Sequence, residues 1–127
     1  MEIENLTFKT EKEYKEFLDY LFSIRDIEYR DFNTKIIVPV DSEIIGIRTP
    51  ILRDMAKKIA KTSSENFLNL FEKLFTKKKV KYHEEKVLYG FIIGFSKIDF
   101  QERLKRIDFF INIIDNWAVC DIVDSSF

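Results

Sequence analysis

The sequence predicts an all-α fold in which about six to seven helices form a superhelical stack of helical pairs. Thirteen Phe and five Tyr in 127 residues supply enough apolar surface for a core. Three Gly and two Pro provide few turn-forming residues, which argues against a β-sandwich or barrel. Apolar residues recur three or four positions apart along most of the chain, the spacing of amphipathic helices. A single domain over residues 1–127 is expected.

The first three helices follow from apolar periodicity and from residues that begin or end helices. Thr10 and Glu13 have the spacing of a capping box before the first helix. A shorter second helix around Tyr29 is expected to end before Pro39, because the residue preceding proline disfavours helical geometry. The segment VPVDSEIIG is predicted to be a loop. Thr49 and Pro50 suit the N-cap and first position of the third helix.

The remaining helices follow from similar signals. Thr62 with Glu65 predicts a capping box before a fourth helix that ends at the polar TKKKVK segment. A fifth helix is expected from about Tyr82, and Asp99 is expected to cap a sixth. Asp115 or Asn116 could cap a seventh helix that begins near Trp117.

The predicted helix pairs recur about every 34 residues, which is the scale of helical solenoid repeats. A plain helical bundle fits the same pattern, since no residue motif repeats with this period. A solenoid normally finishes with a polar capping helix, whereas DIVDSSF follows directly after the start of the seventh helix. We therefore expect the chain to be the N-terminal part of a longer helical-repeat domain, whose uncovered apolar end could form a dimer.

Composition excludes several classes of protein. Lys and Arg total 21 against 22 Asp and Glu, so a nucleic-acid site would have to come from local clustering. One cysteine, Cys120, and one histidine, His83, cannot form an internal disulfide or an ordinary zinc site. No secretion signal and no apolar run of about 20 residues is present. We expect a cytoplasmic protein without membrane spans or an ordinary zinc site.

Local patterns suggest candidate functional residues. Trp117 and Asp121 lie four positions apart, so in a helix they share a face where a cation could bind. A core tryptophan and an aspartate that favours the helix dipole would have the same spacing. The His83–Glu85 segment fits polar surface or a buried hydrogen bond better than a metal site, because adjacent helical residues diverge.

Two basic clusters could neutralise phosphates, although lysines are also common on the solvated face of amphipathic helices. The first cluster begins just before the third helix and continues along it. The second cluster lies in the KKKVK segment. Their members are Arg48, Arg53, Lys57, Lys58 and Lys61 in the first, and Lys77, Lys78, Lys79 and Lys81 in the second.

Three stretches together resemble the DNA alkylation repair family, the AlkD-like DNA glycosylases with HEAT-like repeats. They are GIRTPILRDMAKKIAK at 46–61, YHEEKVLYGFIIG at 82–94 and DNWAVCDIVDS at 115–125. The resemblance implies a curved stack of helical repeats that binds duplex DNA and removes cationic N3- or N7-alkylated purines, without a metal or cofactor.

The resemblance also implies roles for individual residues. Asp121 matches the catalytic aspartate and Trp117 the aromatic contact to the lesion, while Arg48, Arg53 and Lys57 would lie near the DNA backbone. The family's tyrosine near the lesion has its nearest match in Phe32, which lacks the hydroxyl.

The chain departs from the family pattern at its end. An arginine and a second tryptophan of the family's cleft would follow Phe127, so the 127-residue chain alone is expected to excise little. The alternative is a non-catalytic helical scaffold that binds DNA structures or a protein partner.

Overall fold

The computed structural model describes the backbone of residues 2–36 and 43–113, and the side chains of residues 2–31 and 43–113. Across these ranges the chain forms six α-helices and no β-strand, which confirms the predicted all-α class. A short 3-10 helix, Ile3–Asn5, precedes them. The helices are α1 Glu11–Ser23, α2 Ile27–Ile36, α3 Thr49–Thr62, α4 Ser64–Thr76, α5 His83–Phe95 and α6 Phe100–Ile113.

Helix α5 is the centre of the core. It packs most extensively against α3 and also contacts α4 and α6. Each residue from His83 to Ile93 is buried, both the polar first turn His83–Lys86 and the mainly apolar residues that follow it. The aromatic rings of Tyr89 and Phe71 stack with centroids 4.3 Å apart and join α5 to α4.

Successive helix pairs form layers. Helix α5 begins at His83 and α3 at Thr49, a spacing of about 34 residues that agrees with helical repeats. Helices α4 and α6 meet where the Phe75 and Phe109 rings lie edge to face, 5.7 Å apart. The α3–α4 pair is therefore covered by the α5–α6 pair, as in a solenoid.

The starts of the helices were predicted with mixed success. The Thr10 hydroxyl accepts a hydrogen bond from the backbone N–H of Glu13, as expected for an N-cap. The Glu13 carboxylate, however, accepts from the backbone N–H of Thr7 at 2.9 Å, so it ties the preceding segment to α1. The Asp99 side chain accepts from the N–H of Glu102 at 2.8 Å, which confirms that cap.

The predicted capping box at Thr62 is wrong. Helix α3 continues through Thr62, whose hydroxyl donates to the carbonyl of Lys58. Ser63 separates α3 from α4, and its side chain makes no capping hydrogen bond. The start of α3 also differs by one residue, because Arg48 occupies the N-cap position and Pro50 follows Thr49 within the first turn.

Helix α6 exposes large apolar side chains at one side of the described structure. Phe100 is 74% exposed, Ile111 is 58% exposed and Leu104 is 49% exposed. These positions lie four or seven residues apart on one helical face. The seventh helix expected near Trp117 lies outside the described residues. That helix, the dimer expected at the end of the chain and the assignment of residues 1–127 to a single domain stay predictions.

In the part of the chain that the structure describes, no helix has both the length and the apolar character needed to cross a bilayer.

Candidate nucleic-acid interface

A row of basic side chains runs along α3 next to aromatic rings of α5. The guanidinium carbon of Arg53 lies 5.3 Å from the centroid of the Phe91 ring, and the Lys57 ammonium lies 5.5 Å from that of Phe95. The two rings stack on each other with centroids 5.9 Å apart. Four-residue spacing places both cations on one face of α3, above an aromatic ridge of α5.

The charges of this row are open to a ligand. Among the described residues, neither Arg53 nor Lys57 forms an ion pair. A cation held over an aromatic face at an exposed site gains only about 0.5–1 kcal/mol. Such contacts orient the side chains without neutralising them, so the row can bind phosphate groups.

Arg48 has a different environment from this row. One of its guanidinium nitrogens lies 3.1 Å from the carboxylate of Asp26, and the guanidinium lies 4.8 Å from the centre of the Tyr29 ring. The Asp26 carboxylate also accepts the backbone N–H of Tyr29, and this bond and the one from Arg48 lower its pKa. Arg48 therefore links the start of α3 to the start of α2, with more than half of its side chain exposed.

The segment before α3 is held by a buried carboxylate from α5. Glu84 is 1% exposed and accepts hydrogen bonds from the backbone N–H groups of Ile45, Gly46 and Ile47 at 3.0, 2.8 and 3.1 Å. The side chains of Ile45 and Ile47 are buried in the core. Residues 45–47, which lead into α3, are thus held in place by α5 and set the position of Arg48.

Gly46 is required where this segment meets α2. Its φ of +109° lies in a region that side chains disfavour, and a Cβ there would lie 2.6 Å from the Asp26 carbonyl oxygen. The Gly46 carbonyl accepts the backbone N–H of Asp26 at 2.8 Å. This close approach places Asp26 beside Arg48.

Glu85 is a second buried carboxylate of α5 that accepts several hydrogen bonds. Its carboxylate accepts hydrogen bonds from the Tyr14 hydroxyl at 2.7 Å and from the backbone N–H groups of Lys81 and Tyr82. Burial is the main cause that raises its pKa, and burial likewise raises the pKa of Tyr14. The prediction of a buried hydrogen bond in the His83–Glu85 segment is confirmed for both glutamates.

Comparison with known proteins identifies the family of this chain. The family model described as DNA alkylation repair enzyme matches residues 7–126. The chain belongs to the DNA alkylation repair enzyme family. No curated protein and no solved structure shows a significant match to it. The layered helix pairs agree with the HEAT-like helical fold of this family.

The structure of this DNA alkylation repair family member divides the second basic cluster. Lys77 and Lys79 each contact the Glu11 carboxylate, at 3.2 and 3.1 Å, and these bonds lower the pKa of Glu11. Lys78 has a φ of +59°, and the Lys78–Lys79 turn donates backbone N–H groups to the last carbonyls of α4. Much of this cluster therefore serves to end α4 and to attach it to α1.

The predicted site residues of this family member fall into three groups. Arg53 and Lys57 form one row, while Arg48 lies apart from it against α2. Phe32 lies within α2, but its side chain is outside the described residues. Trp117 and Asp121 are also outside them, so their roles stay predictions.

Sequence reasoning missed Tyr29 as a partner of Arg48 and Glu84 as the partner of residues 45–47. The only local signal was a charged residue pair at the start of an otherwise apolar helix. In the described ranges no group of three or more histidine, cysteine or carboxylate side chains could hold a metal ion.

Proposed function

We propose that this protein is a DNA glycosylase that removes cationic N3- or N7-alkylated purines from duplex DNA by hydrolysing the N-glycosidic bond. The observation that carries the proposal is the basic row of Arg53 and Lys57 in a chain whose family match includes positions 117 and 121. The half-buried Arg53 and the exposed Lys57 lie on one helical face, and such cations fit the phosphates of a DNA backbone.

The chemistry depends on positive charge that the lesion already carries. Alkylation at N3 or N7 weakens the bond to the sugar, so departure of the base leaves an oxocarbenium-like sugar. The carboxylate of Asp121 would stabilise that charge and orient the attacking water. The indole of Trp117, four residues earlier, would contact the cationic nucleotide through its π-face.

The described residues would hold the DNA around this centre. Arg53 and Lys57 would each contact a backbone phosphate, and Arg48 would contact the strand near the start of α2, the helix that also contains Phe32. Arg48 keeps donor groups available beyond its bond to Asp26, since a guanidinium has five N–H donors. This arrangement positions the duplex without reading its sequence.

Base release from methylated duplex DNA tests the proposal. The natural full-length protein is incubated with DNA that contains 7-methylguanine, and free bases are separated by chromatography. We expect release of 7-methylguanine and no release of unmodified guanine from a matched duplex. Binding of the duplex without base release would instead support a non-catalytic DNA-binding scaffold.

A further inference from the structure

The basic row of α3 continues past Lys57 into a groove at the C-terminal end of this helix. The groove is lined by α3, the first residue of α4, the last residue of α5 and the segment that follows α5. Its lining residues are Asp54, Lys57, Lys58, Ala60, Lys61, Ser64, Phe95 and Lys97. Four lysines and one carboxylate give this groove a clear positive charge, although the whole chain is nearly neutral.

Ion pairing separates these lysines into two kinds. Lys58 lies 3.3 Å from Asp54 and 4.0 Å from Glu4, so its charge is largely balanced. Within the described ranges, Lys61 and Lys97 form no ion pair, and both are exposed. They therefore resemble Lys57, which lines the same groove.

The spacing of the row suits a polyanion better than a single small anion. Arg53, Lys57 and Lys61 lie four residues apart, so their Cα atoms extend over about 12 Å of helix axis. One DNA strand carries a phosphate about every 3.4 Å along its axis. The row is therefore long enough to contact more than one phosphate of one strand.

The start of α4 adds to the positive potential of the groove. Ser64 is the first residue of this 13-residue helix and lines the groove. The side chain of the preceding Ser63 makes no capping bond, and its buried hydroxyl lacks a hydrogen-bond partner. The partial positive charge of a helix N-terminus favours anions nearby.

We infer that Lys61 and Lys97 form a second contact for the DNA backbone, which continues the strand path from Arg53 and Lys57 towards the start of α4. This inference rests on the proposed function, because it takes duplex DNA as the ligand. The added contact would bind a part of the duplex that is remote from the lesion. Its strength would depend neither on alkylation nor on sequence. Neither lysine would take part in the chemistry.

Salt dependence of binding to an undamaged duplex tests the inference. Fluorescence anisotropy gives the affinity of the natural full-length protein and of a Lys61→Gln/Lys97→Gln variant at several salt concentrations. The slope of log affinity against log salt is negative, and each lost phosphate contact reduces its magnitude by about 0.9. For the double variant we therefore expect the magnitude of the slope to fall by about two. A Lys73→Gln/Lys105→Gln variant has the same net charge and alters exposed lysines on α4 and α6, and it should keep the wild-type slope.

The possible results distinguish this inference from the glycosylase proposal. An unchanged slope in the Lys61/Lys97 variant, with wild-type binding intact, would overturn the second contact alone. An equal loss in both variants would also overturn it, because general charge would then explain the change. The expected slopes without any release of 7-methylguanine would support the contact and overturn the proposed chemistry. Failure of the wild type to bind duplex DNA would overturn both. Thermal melting of each variant verifies that it is folded.

Discussion

Gly46 donates its backbone N–H to the buried carboxylate of Glu84 at 2.8 Å, across 38 positions of sequence. Through this bond the central helix α5 holds the segment that leads into α3. The same glycine contacts the start of α2, where Asp26 and Tyr29 hold Arg48. Arg48, an exposed candidate DNA contact, is thus supported from the centre of the core.

Substitution Glu84→Gln should destabilise the fold. A glutamine side chain has one carbonyl oxygen and an NH₂ group, which would face backbone N–H donors that now bind carboxylate oxygens. Loss of charge-assisted bonds to buried donors is expected to cost about 2–4 kcal/mol. Urea denaturation measures this as a lower midpoint. Glu16→Gln, at an exposed position of α1, serves as the control, and equal midpoints for the two variants would contradict the anchoring role.

The pH dependence of stability should reveal the buried Glu85. Burial raises its pKa above the usual 4.5, so the folded protein binds this proton more readily than the unfolded chain does. The contribution of Glu85 to stability is therefore greatest at low pH, and falls as pH rises from about 4.5 through the raised pKa.

Comparison with Glu85→Gln isolates this effect, because glutamine does not titrate. The free energy of unfolding of the wild type minus that of the variant should decrease between pH 4.5 and pH 7. Urea denaturation at both pH values gives the two differences. An increase with pH would show that the Tyr14 and backbone hydrogen bonds to the carboxylate outweigh its desolvation.

Lys57→Gln should weaken binding to undamaged duplex DNA. It should also reduce the magnitude of the slope of log affinity against log salt by about one. The reason is the loss of one phosphate contact from the α3 row, while the rings of Phe91 and Phe95 stay in place. Anisotropy titrations at several salt concentrations measure both quantities. Lys57→Arg should keep the slope, and Lys12→Gln on α1 is the matched control. If Lys57→Gln and Lys12→Gln have the same effect, the row has no special role.

Much of the helical architecture could be predicted because its signals are local. The apolar spacing of α1 and the hydroxyl of Thr10 lie within a few residues of each other, and so do Asp99 and the first turn of α6. The Thr62 cap failed because a local hydroxyl pattern cannot show that α3 continues for another residue. Tertiary packing, which decides that boundary, is absent from the local sequence.

The supports of the candidate site could not be predicted for the same reason. Glu84 meets residues 45–47 only after α5 packs beside α3, and Tyr29 meets Arg48 only after Gly46 turns the chain. Local sequence gives charge and periodicity but no partner for a buried carboxylate. The basic cluster at α3, in contrast, was visible because its five members lie within fifteen residues of sequence.

Single-turnover release of 7-methylguanine by the natural full-length protein and by Asp121→Asn tests the central claim most directly. Removal of the stabilising charge is expected to slow release by about 10²- to 10³-fold, whereas affinity for the undamaged duplex should stay at the wild-type level. Asp108→Asn, at an exposed position of α6, should release the base at the wild-type rate. Equal release rates for Asp121→Asn and the wild type would contradict the account.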